Sequence, residues 1–310
     1  MENKLRLGIF LACSGCILWG IAGPVSQFLL QQPGISVTWL MGIRMIVTGI
    51  ILLPVAAYTD RQNWLKIWHS PLDILRLLIY AVVGLMGVQF TYLLTIRSSD
   101  AATTTILQTL HAVVIIAYAA IFFRQRPSRQ EWLAVFCALI GTWLLVTRGA
   151  LFQLSISPKT VLYGTGLIFT DATLTLAPMK LIERHSPLTV LGWGMLVAGV
   201  LTEFIHPVWQ SFPKFSAAGW VALLFIIFGG TVISYWMYLQ SLKHIAPTMA
   251  GLLDTLEPLT ATFGTVVFMN VSFNAAQYVG AALILGTVFI LALDHPLQEP
   301  TVHRHHSLES

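Results

Sequence analysis

Gly251-Leu252-Leu253-Asp254-Thr255-Leu256-Glu257-Pro258 is the stretch on which the reading of this chain turns. It lies inside an apolar run from Ala246 to Met269, long enough to cross a bilayer. Asp254 and Glu257 stand three residues apart and so share one helical face. A helix rises about 1.5 Å per residue, which puts both carboxylates near the middle of the span. An ionised carboxylate at that depth costs about 2.5–3.5 kcal/mol even on the mildest insertion scale. A partner, a proton, an ion, a ligand or water must offset that cost. Two readings stay open: a structural pair bound to a neighbouring helix, or part of the lining of a path through the membrane.

The surrounding sequence repeats the apolar pattern. Of 310 residues, 56% are hydrophobic and 10% charged, against about 25% charged in soluble domains. The apolar residues fall into blocks of bilayer length at 8–30, 35–58, 72–95, 100–123, 130–147, 160–181, 187–209, 217–241, 246–269 and 274–294. The pattern predicts an all-α membrane protein with ten transmembrane helices. The first block follows a short basic head (Lys4, Arg6), is too long for a signal peptide and has no small-residue cleavage site after it, so no cleavable leader is expected. No connection exceeds about 15 residues, which leaves no room for a soluble catalytic or receptor domain.

The net charge of +4 does not point to nucleic acid, because the basic residues alternate with the loops rather than forming one patch. With the N-terminus inside, twelve Lys and Arg fall on the inner side. Arg97, Arg148, Lys159 and Lys214 fall on the outer side, and Arg44 lies within a helix. The positive-inside rule then puts both termini in the cytoplasm, with the chain multi-pass in the cell membrane. Cys13, Cys16 and Cys137 all lie in apolar helices and read as packing residues, since a redox Cys-x-x-Cys motif needs a thiolate. The polar tail 295–310, with His303, His305 and His306, reads as a disordered, solvated cytoplasmic segment rather than a metal site.

An internal repeat sharpens the first observation. A shift of 146 residues carries Gly84 onto Gly230, Phe90 onto Trp236, Tyr92 onto Tyr238, Leu107 onto Leu253 and Thr109 onto Thr255. A shift of 150 carries Gly42 onto Gly192, Met45 onto Met195 and Gly49 onto Gly199. The segment 8–147 is thus echoed by 160–294, five helices by five. Five is odd, so the second copy enters the membrane inverted, as in carriers that work by alternating access around a central site. The 146-residue shift also lays Asp254 on Gln108 and Glu257 on His111. A two-fold axis in the membrane plane brings these pairs together, and makes His111 the expected partner of Glu257.

These features resemble the drug/metabolite transporter superfamily, in particular members with two EamA domains. The resemblance covers about 8–294. It rests on the 5+5 layout, Trp19-Gly20 with Pro24, Tyr92-Leu93-Leu94 followed by Ala101–Leu110, Tyr238-Leu239 followed by Ala246–Leu259, and Gly280-Ala281-Ala282-Leu283-Ile284. It implies ten helices, cytoplasmic termini and the export or uptake of small metabolites, often amino acids. The chain departs from the family pattern in three places. His111-Ala112 stands where a proline is common, and Phe123-Arg124 and Met269-Asn270 stand where a Gly-Glu pair is common. No role is carried over for that Glu.

Other polar and aromatic residues complete the candidate set. Asp171, among Thr170, Thr173 and Thr175, is a third carboxylate midway along a span. It either lines a wet cavity or bonds to backbone. Arg44 either binds a carboxylate with its fork or holds structure; its peripheral helix in the resembled family favours structure. Glu203 and His206 read as structural or, at most, adjacent to a gate. The candidate binding residues are Trp19, Tyr80, Gln108, His111, Asp171, Tyr235, Trp236, Asp254 and Glu257, with Glu257, Asp254 and His111 as candidates for coupling to protons. The favoured function is a secondary transporter of a small organic metabolite, an amino acid or related compound. The alternatives are a proton-coupled carrier of organic cations or drugs and, more weakly, an intramembrane enzyme. No Walker loop, H-x-x-x-H or H-E-x-x-H pattern occurs, so no enzyme activity, metal or cofactor is expected. The expected partners are the lipid bilayer and the cargo. Small-residue helix faces permit a homodimer as well as a monomer.

Overall fold

The computed structural model describes residues 2–294 apart from 62, 123, 125–127, 151–155, 211, 246–248, 251–252 and 270. The tail 295–310, Ala246 and the Gly251-Leu252 pair that opens the key stretch therefore lie outside the described residues. Among the described residues every regular element is helical. The main helices are α1 (Glu2–Leu30), α2 (Val37–Thr59), α3 (Pro71–Ser98), α4 (Ala101–Phe122) and α5 (Arg129–Thr147). They continue with α6 (Pro158–Leu176), α7 (Pro187–Ile205), α8 (Ala217–Ser241), α9 (Leu256–Met269) and α10 (Ala275–Asp294). Seven of them, α1 to α5 with α7 and α8, are long and apolar enough to cross a membrane. Asp171 and the threonines around it make α6 more polar, and α9 is shorter.

Local chemistry sets the helix starts. A serine or aspartate side chain accepts from the backbone N–H three residues on at Ser36, Ser70, Asp100, Ser128, Ser157, Ser186 and Ser216. Proline follows at the first helical position in α3, α6 and α7, where its missing N–H costs nothing. Ser128 and Glu131 form a full capping box.

The distribution of side chains inverts that of a soluble protein. Phe10, Ile121, Phe136, Phe204 and Phe268 are more than 60% exposed, while Thr48, Thr104, Thr160, Thr202, Thr231 and Ser234 are fully buried. Hydrocarbon outside and polar contacts inside suit a lipid solvent.

Helices pair across the two segments that repeat. α2 packs on α7, α5 on α10, α1 on α8 and α9, and α3 on α6. The α2–α7 contact is self-complementary. A methyl group at Gly49 would come within 2.6 Å of Leu196 N, and one at Gly199 within 2.7 Å of Ile46 N. Small residues at both places allow the backbones to meet.

Two irregularities that the apolar pattern does not announce recur in both segments. α3 carries a π-helical stretch at Tyr80–Met86, and α8 carries one at Phe225–Ile233. The shift of 146 lays the first inside the second. α4 breaks at Thr109–Leu110, and the chain turns at Asp254–Thr255 just before α9; the same shift superposes Thr109 on Thr255. The α9 turn has a plain cause. Pro258 has no N–H to return to the Asp254 carbonyl, which accepts instead from Glu257 N at 3.0 Å.

Candidate functional site

The breaks and π stretches converge on one cavity of about 490 Å³, within the size range of small-molecule sites. Its walls come from α1, α2, α3, α4, α6, α7, α8 and the start of α9 with the turn before it. Of the residues selected from sequence, Trp19, Tyr80, Gln108, His111, Asp171, Tyr235, Asp254 and Glu257 all line it. Trp236 does not. It is 43% exposed on the outer face of α8, because successive helical residues point about 100° apart and Tyr235 takes the inward direction.

His111 sits at the break in α4, and the break explains its setting. Where the helical ladder is interrupted, the Gln108 carbonyl accepts from His111 Nδ1 at 2.9 Å. The same Nδ1 lies 3.1 Å from Asp171 Oδ2. A carbonyl only accepts, so Nδ1 carries the hydrogen and shares it between the two oxygens. The expected His111–Glu257 pair is therefore replaced by a His111–Asp171 pair. The reason lies in the packing. The half of α4 that begins at His111 lies on α6, whereas α9 meets the preceding half, Ala101–Gln108.

The acidic pair has its own surroundings. Cys16, fully buried, donates its S–H to Asp254 Oδ1 at 3.5 Å; it touches the site instead of only filling space. Glu257 follows at the start of α9. Its backbone carbonyl lies so close to α1 that a methyl group at Gly20 would come within 2.6 Å of it. The Trp19-Gly20 pair thus has two jobs: glycine lets α1 reach α9, and the neighbouring indole forms a wall of the cavity. Trp19 stands edge-on to Tyr235, ring centres 4.9 Å apart, and 5.2 Å from Tyr238.

Tyr92 and Tyr238 also line the cavity, and sequence reasoning missed them, although a signal existed, since the two coincide under the 146-residue shift. Gln89, a plausible secondary polar contact by sequence, and Arg44, for which carboxylate binding was the less favoured of two readings, line it too. Glu203 plays the structural part expected, accepting from Val208 N at 2.7 Å beyond the end of α7.

Comparison with known proteins fits this geometry. The model of the EamA-like transporter family matches residues 6–147 and again 158–293. The inner membrane transporter YicL of Salmonella typhimurium is 32% identical over 94% of this chain and 97% of its own length. The transporter YwfM of Bacillus subtilis is 25% identical over 93% of this chain and 94% of its own. One crystal structure, 16% identical, superposes with a TM-score of 0.63 over 94% of this chain and 97% of that one, and shows a shared fold.

Proposed function

The chain belongs to the EamA-like transporter family, and from that membership we propose that it is a secondary active transporter for a small organic metabolite, an amino acid or related compound. In this reading ten helices span the cytoplasmic membrane as two inverted halves, 8–147 and 160–294, with both termini in the cytoplasm. Cargo binds in the cavity between the halves, and rocking of one half against the other exposes it to each side in turn. The observation that carries the reading is the cavity itself: Asp171, His111, Asp254 and Glu257 converge beside an aromatic wall inside an otherwise apolar bundle. Ionisable groups at such depth are costly and mark a path for cargo or protons. The matched π stretches, the matched breaks and the self-complementary α2–α7 contact support the inverted repeat.

Glu257, Asp254 and His111 are the proposed proton-coupling groups, and Trp19, Tyr80, Gln108, Asp171 and Tyr235 the proposed binding residues with them. The three carboxylates also favour a second reading, a proton-coupled carrier of organic cations. An intramembrane enzyme draws no support from a family of transporters.

The test is counterflow in proteoliposomes. Amino acids, quaternary amines and nucleosides are each supplied as labelled cargo, with and without a pH gradient. Saturable exchange of amino acids supports the first reading, and exchange of quaternary amines alone supports the second. Absence of exchange for every class, with the protein folded and inserted, overturns both.

A further inference from the structure

Arg44 is out of keeping with a purely acidic, proton-handling cavity. It lies in α2, is 6% exposed and lines the cavity. Its Nε and Nη2 donate to one acceptor, Thr231 Oγ1, at 3.4 and 3.2 Å. The Thr231 hydroxyl spends its own hydrogen on the Ile226 carbonyl at 2.8 Å, five residues back along the π stretch of α8. The π register thus supplies a fixed hydroxyl that points a lone pair at the guanidinium. That contact is neutral. Among the described residues Nη1 has no hydrogen-bond partner. Among the described residues, no carboxylate lies within salt-bridge distance of Arg44.

A buried cation held by one neutral hydroxyl is an incomplete arrangement, because a buried charge without a counter-charge is strongly destabilising. The acids that could have completed it are engaged elsewhere: Asp171 with His111, and Asp254 with Cys16. Glu257 and Arg44 line the same cavity, and among the described residues no ion pair joins them.

We infer that Arg44 is a carboxylate-binding residue of the cavity, so that the cargo presents a carboxylate to its free Nη1 edge and a cationic or hydrogen-bond-donating group to the acidic side. This rests on the reading of the cavity as a cargo site. A guanidinium fork suits both carboxylates and phosphates. Charge selects between them. A phosphate monoester brings about −1.5 to −2 at neutral pH, and the cavity already holds three carboxylates against Arg44 and His111. A single carboxylate is the anion one arginine can match there.

The experiment uses the full-length protein and three probes with one skeleton: L-phenylalanine, phenethylamine and 3-phenylpropionate. Binding is read by thermal shift and titration in detergent. The wild-type protein prefers L-phenylalanine to phenethylamine. In Arg44→Gln the affinity for L-phenylalanine falls roughly tenfold to a hundredfold, the range for loss of a charge-assisted hydrogen bond, while that for phenethylamine holds. Arg44→Lys falls between, and Thr231→Val shifts the preference in the same direction by freeing the guanidinium. Ligand-free Arg44→Gln melts no lower than wild type, since it removes an uncompensated charge; a purely structural arginine predicts the reverse. Undiminished preference for L-phenylalanine in Arg44→Gln, or in Arg44→Lys and Thr231→Val should the glutamine variant not fold, overturns the inference. A wild-type protein that exchanges quaternary amines but ignores carboxylates overturns it too, leaving the transporter reading intact. A wild-type protein that exchanges no cargo class removes both.

Discussion

α4 and the segment that leads into α9 hold matching places in the two repeats, and the chain is interrupted at the same point in both, at Thr109–Leu110 within α4 and at Asp254–Thr255 before α9, yet the two differ in what the interruption does. Before α9 the break is made by Pro258, and the helix that follows is clamped: Ala261 and Thr265 are fully buried, and α1 reaches it through Gly20. In α4 no proline is present, and the freed Gln108 carbonyl is taken by His111. From there to Phe122 the helix has no fully buried residue and rests lightly on α6. The first half of α4 is the opposite, with Ala101–Leu107 buried throughout. One repeat therefore ends its broken helix in a fixed wall. The other ends it in an arm whose attachment near the cavity is a histidine–aspartate contact. Under the proposed alternating-access reading, inverted halves identical in packing would leave the cavity equally open to both sides, and a difference of this kind is what the cycle needs.

The comparison can be broken at its clamped side. Gly20→Val puts branched carbon where even a methyl group meets Glu257 O and Thr260 Cβ at 2.6 Å. Overpacking costs about 1–3 kcal/mol, and the contact here is rigid backbone, so a value near the top of that range is expected. Gly166, its counterpart under the 146-residue shift, meets only the Thr91 side chain, at 3.1 Å. Gly166→Val is expected to cost under about 1 kcal/mol, by the usual range for surface-like changes. Thermal melting of the purified proteins measures both, and equal losses would mean that α9 is held no more tightly than the α6 face. The other side can be broken at its ion-paired contact. Asp171→Asn removes the charge that His111 Nδ1 faces at 3.1 Å, and exchange flux is expected to fall roughly tenfold or more, since a hydrogen bond to a charged group contributes about 1.5–3 kcal/mol. Glu257→Gln should preserve insertion and lose the acceleration that a pH gradient gives. Flux in Asp171→Asn equal to wild type would detach α4 from the mechanism.

How much of this could be read from the chain follows from what a shift of register can and cannot carry. Asp171, Asp254, Glu257, Gln108 and His111 were visible because each is polar within a run that should be apolar. The repeat matched Glu257 with His111, but such a match relates equivalent places in two halves; it does not say which helices touch. His111 contacts Asp171 because its half of α4 lies on α6. The π stretches were hidden, since one extra residue in a turn changes no periodicity that an apolar block can display. The break in α4 was hidden for lack of a proline. Arg44 was read as structural because α2 is peripheral in the resembled family, whereas its side chain is long enough to reach the cavity from there.

The smallest expected effect concerns neighbouring residues on α8. Tyr235 lies against Trp19 and lines the cavity, while Trp236 is turned outward. Tyr235→Ala removes an aromatic wall that also carries an edge-to-face contact, a type of pair that contributes about 0.5–1.5 kcal/mol beyond its buried area. Half-saturating cargo concentration is expected to rise severalfold. Trp236→Ala removes a ring that meets lipid, and counterflow should stay within about twofold of wild type, the scale of a surface change. Phe90, its partner under the repeat, is likewise exposed, at 39%. The repeat therefore conserves an outward aromatic face on α3 and α8 alongside the inward one of Tyr92 and Tyr238. A Trp236→Ala defect as large as that of Tyr235→Ala would place cargo contacts on the outside of α8, and with them the boundary between cavity and lipid would have to be redrawn.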